Sequence, residues 1–264
     1  MFSYQGKTAL VTGASSGIGA AFVHELAARQ MKIILAARST EALDLLAAEI
    51  RQRHQTEAHV INADLSLPNA AVALSQQVAK LELQVDLLIN NAGFMTHGVF
   101  ESIEPAREQA EIAVNVASMV GLTHEFLPGM IARREGAVIN VASVAGFQPV
   151  PYLAVYAATK AFVISFSVAL WEECRQHNVC VMALCPGTTA TQLFVRAAAP
   201  EAALGKPRTS EQVVATALAG LDKRRSLVVD GMKNSLLSHG PRLIPRWFAA
   251  RCAGNAVRPQ QTTP

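Results

Sequence analysis

Short apolar runs alternate with amphipathic segments along most of the chain. The apolar runs lack the every-second-residue polar pattern of a half-exposed strand; they are KTALVT, KIILAA, AHVINA, VDLLIN, GAVINVAS, VCVMALCP and SLVVD. Segments with helical periodicity lie between them, at 17–30, 40–54, 68–83, 105–120, 122–134, 154–171 and 210–221. Unalternating strands separated by helices are typical of a parallel sheet covered on both faces. The pattern predicts an α/β fold: a three-layer, doubly wound parallel sheet of Rossmann-like type, in a single domain.

Composition supports a large globular core and narrows the class of partner. The 264 residues are 51% hydrophobic and 16% charged, which excludes a disordered chain. The net charge is only +3, but five basic residues and no acid follow Gly231. We therefore assign residues 1–230 to the α/β domain and 231–264 to a basic, partly apolar tail. Nucleic acid is not an expected partner, because the basic residues are few and no aromatic stacking platform accompanies them.

The cysteines and histidines favour neither a metal site nor a disulfide framework. Cys174, Cys180, Cys185 and Cys252 show no CxxC spacing, and no HxxxH pair occurs. We expect reduced thiols, no bound metal and a cytoplasmic location. No signal peptide is expected, since a glycine-rich turn begins at Gly13, where its apolar region would have to lie.

The first strand continues directly into the turn TGASSGIG, which predicts a dinucleotide site. Glycines permit a tight turn and close approach to a ligand, and the following helix presents free N–H groups to a pyrophosphate. The spacing is G-x-x-x-G-x-G, and glycines also occur simply where strands end. Its position at the first turn of the sheet favours the dinucleotide.

The end of the second strand indicates which dinucleotide is bound. Folds that choose NAD usually carry an acid there for the ribose hydroxyls, whereas this chain has Ala37 and Arg38. A guanidinium binds a 2′-phosphate bidentately, so we expect NADP(H). The alternative is a solvated arginine at the start of a helix.

The helical run from Ala154 to Trp171 contains one charged side chain, Lys160, four residues after Tyr156. Residues at i and i+4 share a helix face. A buried ammonium without partners is costly, so Lys160 either reaches water by its flexible stem or has a function. A membrane span is the poorer interpretation, because Lys160 interrupts the run and two prolines precede it.

Several motifs in order make the chain resemble the short-chain dehydrogenase/reductase family from Gly6 to about Asp230. They are TGASSGIG, NNAG at 90–93, Asn115, Ser143, YAATK at 156–160 and PGTTAT at 186–191. Thr189 stands where the family often has a branched aliphatic residue. The resemblance implies cofactor contacts from Gly13, Ser15, Ser16, Gly17, Ile18, Gly19, Arg38, Asp64, Leu65, Asn91, Ala92, Gly93, Tyr156, Lys160, Pro186, Gly187, Thr188 and Thr191.

The resemblance also implies an oxidoreductase that interconverts a carbonyl compound and a secondary alcohol with NADP(H). Tyr156 is the expected acid–base, and Lys160 would bind the ribose hydroxyls. A free tyrosine has a pKa near ~10, and we expect Lys160, together with the charge of oxidised nicotinamide, to lower it. Ser143 would donate to the substrate oxygen, and Asn115 would hold a water that connects Lys160 to solvent.

The loops after the strands predict a mostly apolar substrate, such as a steroid-like, fatty-acyl or xenobiotic ketone. The expected substrate contacts are Ser143, Tyr156, Phe94, Phe147, Tyr152 and Leu193, with Met95, Pro149, Val150 and Phe194 nearby. The segment 193–206 is expected to close over the substrate, although these residues could instead only pack a mobile lid. A 3-oxoacyl-carrier-protein reductase would need a basic rim. Two alternative functions belong to other classes: a protein that binds NADPH as a sensor without turnover, and a sugar-nucleotide epimerase.

Two surfaces suggest partners. The helix that carries Lys160 also contains Phe162, Phe166 and Trp171, and by resemblance it would join subunits in a homodimer or homotetramer. The tail sequence LIPRWFAARCA mixes aromatic residues with arginines, as a helix at a membrane surface does. Docking of the tail on its own subunit or on a neighbour is the favoured alternative.

Overall fold

A computed structural model describes residues 2–238 and 240–259. Its centre is a seven-stranded sheet of order β3-β2-β1-β4-β5-β6-β7, in which every neighbouring pair is parallel. The strands are β1 Thr8–Thr12, β2 Lys32–Ala37, β3 Ala58–Asn62, β4 Leu87–Asn90, β5 Gly136–Val141, β6 Val179–Cys185 and β7 Leu227–Val229. The predicted three-layer, doubly wound fold is confirmed.

Helices cover both faces of the sheet. The α-helices are α1 Gly17–Ala28, α2 Thr40–His54, α3 Ala70–Ala79, α4 Pro105–Ile112, α5 Ser118–Arg133, α6 Ala154–Arg175, α7 Leu193–Arg196, α8 Ser210–Asp222, α9 Met232–Leu237 and α10 Arg246–Val257. Side chains of α1, α2 and α8 pack with one face of the central strands, and those of α3, α5 and α6 pack with the other. Within β1, Ala9 and Val11 point to the first layer and Leu10 to the second, so the strand is buried on both sides.

The strand order fixes where a ligand can bind. The chain runs outward from β1 through β2 to β3 and then returns to place β4 on the other side of β1. Connections therefore leave β1 and β4 in opposite directions, which opens a crevice at their carboxyl ends. The glycine turn after β1 and the NNAG segment at the end of β4 both lie at this crevice.

The region between β4 and β5 differs from its predicted helices. The sequence predicts helices at 105–120 and 122–134, with a break at Gly121. Instead α4 ends at Ile112, one π-helical turn spans Ala113–Ala117, and α5 runs through Gly121 and Pro128. A Cβ at Gly121 would lie 2.7 Å from the Ala71 Cβ. Gly121 therefore permits close packing of α3 on α5 and does not end a helix.

By length and composition, α6 is the one helix among the described residues that could cross a membrane. Within the protein its inner face packs on β6, and Tyr156, Lys160 and Val163 are buried. One third (33%) of its apolar window is buried, so the opposite face of α6 lies at the surface of this chain.

Candidate active site

One large cleft at the carboxyl ends of the strands, of about 1910 Å³, brings together most of the predicted site residues. Pockets for drug-sized ligands span roughly 300–1,000 Å³, so this cleft has room for a dinucleotide and a second molecule. Of the predicted cofactor contacts, all but Gly19 line it; of the predicted catalytic residues, Ser143, Tyr156 and Lys160 line it and Asn115 does not.

The glycine turn has the backbone geometry that its sequence predicts. Gly13 and Gly17 have φ values of +63° and +57°, in the left-handed region that favours glycine. A Cβ at Gly19 would collide with the Gly13 carbonyl oxygen, so Gly19 supports the turn from below and does not face the cleft. Ser16 precedes α1 and makes no side-chain capping bond, which leaves the first N–H groups of α1 available for a phosphate.

Thr12 and Asn91 fasten the end of β4 to the glycine turn. The Thr12 hydroxyl accepts hydrogen bonds from the backbone N–H groups of Asn91 and Ala92, each at 3.0 Å. The Asn91 side chain donates to the Thr12 carbonyl oxygen at 2.9 Å. These bonds fix the segment Asn91–Gly93 as a wall of the cleft before any ligand binds.

Arg38 and Asp64 occupy the outer part of the cleft. Arg38 is exposed immediately after β2, and the Asn62 side chain donates to its carbonyl oxygen at 2.8 Å. Hydrogen bonds from Ser66, with a smaller contribution from the Arg38 charge, lower the pKa of Asp64. A guanidinium therefore faces this part of the cleft, where a 2′-phosphate would need a cation.

Ser143, Tyr156 and Lys160 meet at the inner end of the cleft. Ser143 follows β5, and its hydroxyl accepts from the Ala145 N–H at 3.2 Å. Tyr156 and Lys160 are 8% and 5% exposed, and the ammonium lies 5.7 Å from the centre of the tyrosine ring. The Lys160 ammonium donates to the Val141 carbonyl oxygen at 2.9 Å, so it is held inside and does not extend to solvent.

The sequence interpretation attributes a lowered pKa of Tyr156 to Lys160 together with oxidised nicotinamide, and the protein groups alone do not lower it. Burial raises it to about 12, opposed by the nearby Ser143 hydroxyl and supported by the charge of Glu111. Burial also lowers the pKa of Lys160 to about 8, against the effects of Glu111 and Cys185. Desolvation is the largest cause of both shifts because both groups are enclosed. A lowered Tyr156 pKa therefore requires positive charge beyond what Lys160 supplies.

Asn115 lies beside the site in the π-helical turn, and its amide is largely occupied. Its Nδ2 donates to the Phe94 carbonyl oxygen at 2.9 Å and to the Thr159 hydroxyl at 3.1 Å, and its Oδ1 accepts from the Phe94 N–H at 3.1 Å. A Cβ at Gly93 would lie 2.9 Å from Asn115 Oδ1 and 3.4 Å from Lys160 Nζ. Asn115 therefore ties the β4 loop to α6 around Lys160; its role toward a water stays a prediction.

The predicted substrate region is only partly assembled as expected. Apolar side chains line the inner cleft; they are Phe94, Met95, Phe147, Val150, Leu193 and Phe194. Tyr152 and Pro149 are not among its lining residues. Tyr152 has a φ of +66° and its carbonyl oxygen accepts from the Gly98 N–H at 2.9 Å, so its backbone serves to shape a turn. Residues from the predicted closing segment, 193–206, also border the cleft.

Two sets of site residues were not found by the sequence analysis. The helix α10 borders the cleft through Ala249, Ala253 and Val257, and Ala253 and Val257 pack in the same cluster as Tyr156. Four exposed basic residues, which come from separate parts of the chain, also line it: Arg107, Arg196, Lys206 and Lys233. Among the described residues that line the cleft, Asp64 is the only acid. No local motif marks either set, because the fold alone brings them together.

Comparisons with known proteins agree with this architecture. The chain matches a family model described as short chain dehydrogenase over residues 7–202. It is 33% identical over 258 residues to the very-long-chain 3-oxoacyl-CoA reductase of Macaca fascicularis, covering 95% of this chain and 79% of that protein.

Solved structures give the same result. A short-chain dehydrogenase from Sphingobium yanoikuyae, in complex with NADPH, is 30% identical, with a TM-score of 0.81 over 98% of both chains. A short-chain dehydrogenase/reductase from Burkholderia phymatum, in complex with NAD, is 26% identical, with a TM-score of 0.81 over 99% of this chain and 100% of that one. The sequence motifs, the sheet order and the site geometry agree with these matches, and the chain belongs to the short-chain dehydrogenase family of oxidoreductases.

Proposed function

We propose that this protein is an NADPH-dependent reductase, which converts the ketone of a fatty-acyl chain on an anionic carrier into a secondary alcohol. The observation that carries the proposal is the single cleft that contains the glycine turn, Arg38, the Ser143–Tyr156–Lys160 group and an apolar wall. The other observations concern the cofactor, the proton and the carrier.

The residues of the cleft fit a dinucleotide with a 2′-phosphate. Gly13 and Gly17 keep open a cradle that side chains would fill: a Cβ at Gly17 would lie 3.0 Å from Thr191 Cγ2. The α1 N-terminus would hold the pyrophosphate, Arg38 the 2′-phosphate, and Lys160 the ribose hydroxyls. When bound, the reduced nicotinamide supplies the hydride for the carbonyl carbon.

The chain's own residues supply the proton and the orientation. A carbonyl oxygen placed between Ser143 and Tyr156 would accept hydrogen bonds from both hydroxyl groups. Tyr156 is protonated at neutral pH, because burial raises its pKa to about 12, and so it is poised as a proton donor. Lys160 would hold the sugar hydroxyls and return a proton to Tyr156 after each turnover.

The walls of the cleft support an acyl substrate with an anionic carrier. An inner apolar wall suits an alkyl chain, and the four exposed basic residues at the rim, Arg107, Arg196, Lys206 and Lys233, suit phosphate groups. Arg38 would bind the 2′-phosphate of the cofactor. The four basic residues at the rim would then be available to bind phosphate groups of the carrier. The similarity to a very-long-chain 3-oxoacyl-CoA reductase favours a coenzyme A thioester.

The catalytic assignment is tested with wild-type protein and Tyr156→Phe. We expect wild type to oxidise NADPH in the presence of a long-chain 3-oxoacyl-CoA, followed by absorbance at 340 nm. Tyr156→Phe should lose at least about 100-fold in kcat, the usual size of a general-acid contribution, and still bind NADPH by fluorescence titration. A full rate in this variant would refute the role of Tyr156. NADPH binding by wild type without turnover of any carbonyl compound would favour the sensor alternative.

Binding of the anionic carrier is tested by replacing basic residues at the rim of the cleft. Lys206→Ala and Arg107→Ala together should raise KM for the coenzyme A thioester about tenfold, since each exposed charge pair contributes up to about 1 kcal/mol. They should leave KM unchanged for an uncharged ketone of the same chain length. Equal effects on both substrates would exclude a carrier site at the rim. Faster reduction of acyl-carrier-protein thioesters, or of steroid ketones, would reassign the substrate class.

A further inference from the structure

Glu111 is a carboxyl group enclosed within the protein near the Tyr156–Lys160 pair. Its side chain is 0% exposed, and Oε2 accepts from the Thr96 N–H at 2.9 Å and from the Thr96 hydroxyl at 2.7 Å. Oε1 is also buried, and it has no hydrogen-bond partner among residues 2–238 and 240–259. A buried carboxyl group with half of its bonding capacity unused is costly, so its presence requires an explanation.

The packing of α4 on α6 directs Glu111 toward the catalytic pair. Glu111 and Asn115 are four residues apart and share a face of the helical segment. That face meets α6, because Asn115 donates to Thr159, and Asn115 Oδ1 and Lys160 Nζ both border Gly93. Glu111 thus lies one turn before the residue that contacts the Tyr156–Lys160 face of α6.

The ionisable groups around Glu111 act on one another. Burial is the main cause that raises the pKa of Glu111, and the charge of Glu108 on α4 raises it further. From α6, Lys160 lowers the pKa of Glu111, as do the bonds from Thr96. In return, Glu111 raises the pKa values of Lys160 and Tyr156. At the end of β6, Cys185 acts on Lys160 in the same direction.

We propose that Glu111 is a positioning residue that acts through Lys160 and Tyr156: its buried carboxyl group, on the helix face that meets α6, favours the form of this pair that reduces a carbonyl compound. This inference rests on the proposed reductase function. Reduction requires a proton on the Tyr156 oxygen and a charge on Lys160, and both are lost as pH rises. A carboxylate beside them moves both proton losses to higher pH. Alcohol oxidation starts from deprotonated Tyr156, so its onset also moves to higher pH.

The test compares Glu111→Gln, which removes the charge and keeps the shape, with wild type. The first readout is the pH profile of kcat/KM for ketone reduction, and the second is NADPH affinity against pH, followed by nucleotide fluorescence. We expect the alkaline limb of both profiles to move to lower pH by about one unit in Glu111→Gln. Lys160→Met lacks the ammonium that loses its proton, so its NADPH affinity should show no alkaline limb.

Two further variants separate the electrostatic role from a structural one. Glu108→Gln, on the same helix and 8% exposed, removes a charge that opposes ionisation of Glu111, so it should not move either limb to lower pH. Thr96→Val removes the hydroxyl hydrogen bond to Glu111 and so makes its carboxyl group harder to ionise. Both limbs should therefore move to lower pH, but by less than in Glu111→Gln. Thr96→Val decides the matter if Glu111→Gln does not fold.

Each outcome decides for or against the proposal. Coincident profiles of wild type and Glu111→Gln would overturn it, as would a change in Tm and kcat without any displacement of the limbs. An alkaline limb of NADPH affinity that persists in Lys160→Met would also overturn the proposal. The fluorescence readout needs no turnover, so a protein that binds NADPH but reduces no ketone would refute the proposed function and still test Glu111.

Discussion

At the scale of single residues, sequence motifs find groups that are close in the chain, and the fold adds groups that are distant. Tyr156 and Lys160 were predictable because four residues are one helical turn and an isolated lysine in an apolar run needs a role. Glu111 escaped notice because a glutamate in a polar helix is ordinary in sequence. Only the packing of α4 on α6 buries its carboxyl group beside them.

The predicted fall in the pKa of Tyr156 depends on Lys160 together with oxidised nicotinamide and stays a prediction, whereas the protein groups alone raise this pKa. The sequence shows which charges are near one another, but it does not show how completely they are desolvated. Here burial is the largest influence on both groups, so it raises the pKa of Tyr156 and lowers the pKa of Lys160. The site by itself therefore holds its proton on the phenol, which suits donation more than abstraction.

In the proposed function Arg38 selects NADPH, which gives a prediction at this scale. Arg38→Ala should raise KM for NADPH by about 10- to 100-fold, since one charge-assisted bidentate bond to a phosphate is lost. KM for NADH should change little, because NADH has no 2′-phosphate. Arg53→Ala, on the outer part of α2 where Arg53 pairs with Glu49, is the control and should change neither value. An equal loss for both cofactors in Arg38→Ala would contradict NADPH selection.

At the scale of elements, the sequence pattern predicted every strand, while helix ends and irregular turns escaped it. The strands of a doubly covered sheet are easily recognised because most of their residues are buried, and β1, β4, β5 and β6 are buried at every position. The π-helical turn at Ala113–Ala117 is different, because the periodic pattern continues through it. Within this turn the Asn115 amide binds both backbone groups of Phe94, a contact that the helical period does not reveal. Such a turn often marks a functional site.

The helix α8 offers an element-scale prediction of stability. Thr209 and Gln212 form a capping box at its start, in which the Thr209 hydroxyl accepts from the Gln212 N–H at 3.3 Å. Thr209→Ala should lower the free energy of unfolding by about 1 kcal/mol, measured by urea denaturation. Ser39→Ala is the matched control, because Ser39 precedes α2 without a capping bond and should cost less than about 0.5 kcal/mol. Equal losses in the two variants would contradict the capping role.

At the scale of the whole molecule, the tail shows where sequence patterns stop being decisive. Its arginines and aromatic residues suit a membrane surface or a docked helix equally well. In the structure α10 docks on its own chain: Ala249, Ala253 and Val257 are buried, and the His97 ring lies 2.8 Å from the Val257 carbonyl oxygen. Trp247 and Phe248 stay exposed next to this contact. Contacts between distant segments place α10 on its own chain, and contact of the tail with a membrane surface stays a prediction.

The outer face of α6 is the whole-molecule feature that most needs a partner. Small and apolar side chains lie exposed along it without a charge from Ala161 to Ala169, and Phe162 is 42% exposed while stacked on Phe166 at 5.8 Å. Trp171, which the sequence also placed on this face, instead donates from its indole N–H to the Arg224 carbonyl oxygen at 2.9 Å, within its own chain. An apolar helix face of this kind is typical of a subunit interface.

We therefore predict that the protein is a homodimer or homotetramer joined through α6. Phe162→Asp would place an unpaired carboxylate in the interface, and it should weaken assembly by more than about 100-fold, because an uncompensated buried charge costs about 3–5 kcal/mol. Sedimentation velocity at micromolar concentration should then give the monomer mass. Leu45→Asp is the control: Leu45 is 69% exposed on α2, far along the sheet from α6, and its replacement should leave the oligomer intact. A wild-type protein that already sediments as a monomer would leave this face of α6 without a second copy and refute the prediction.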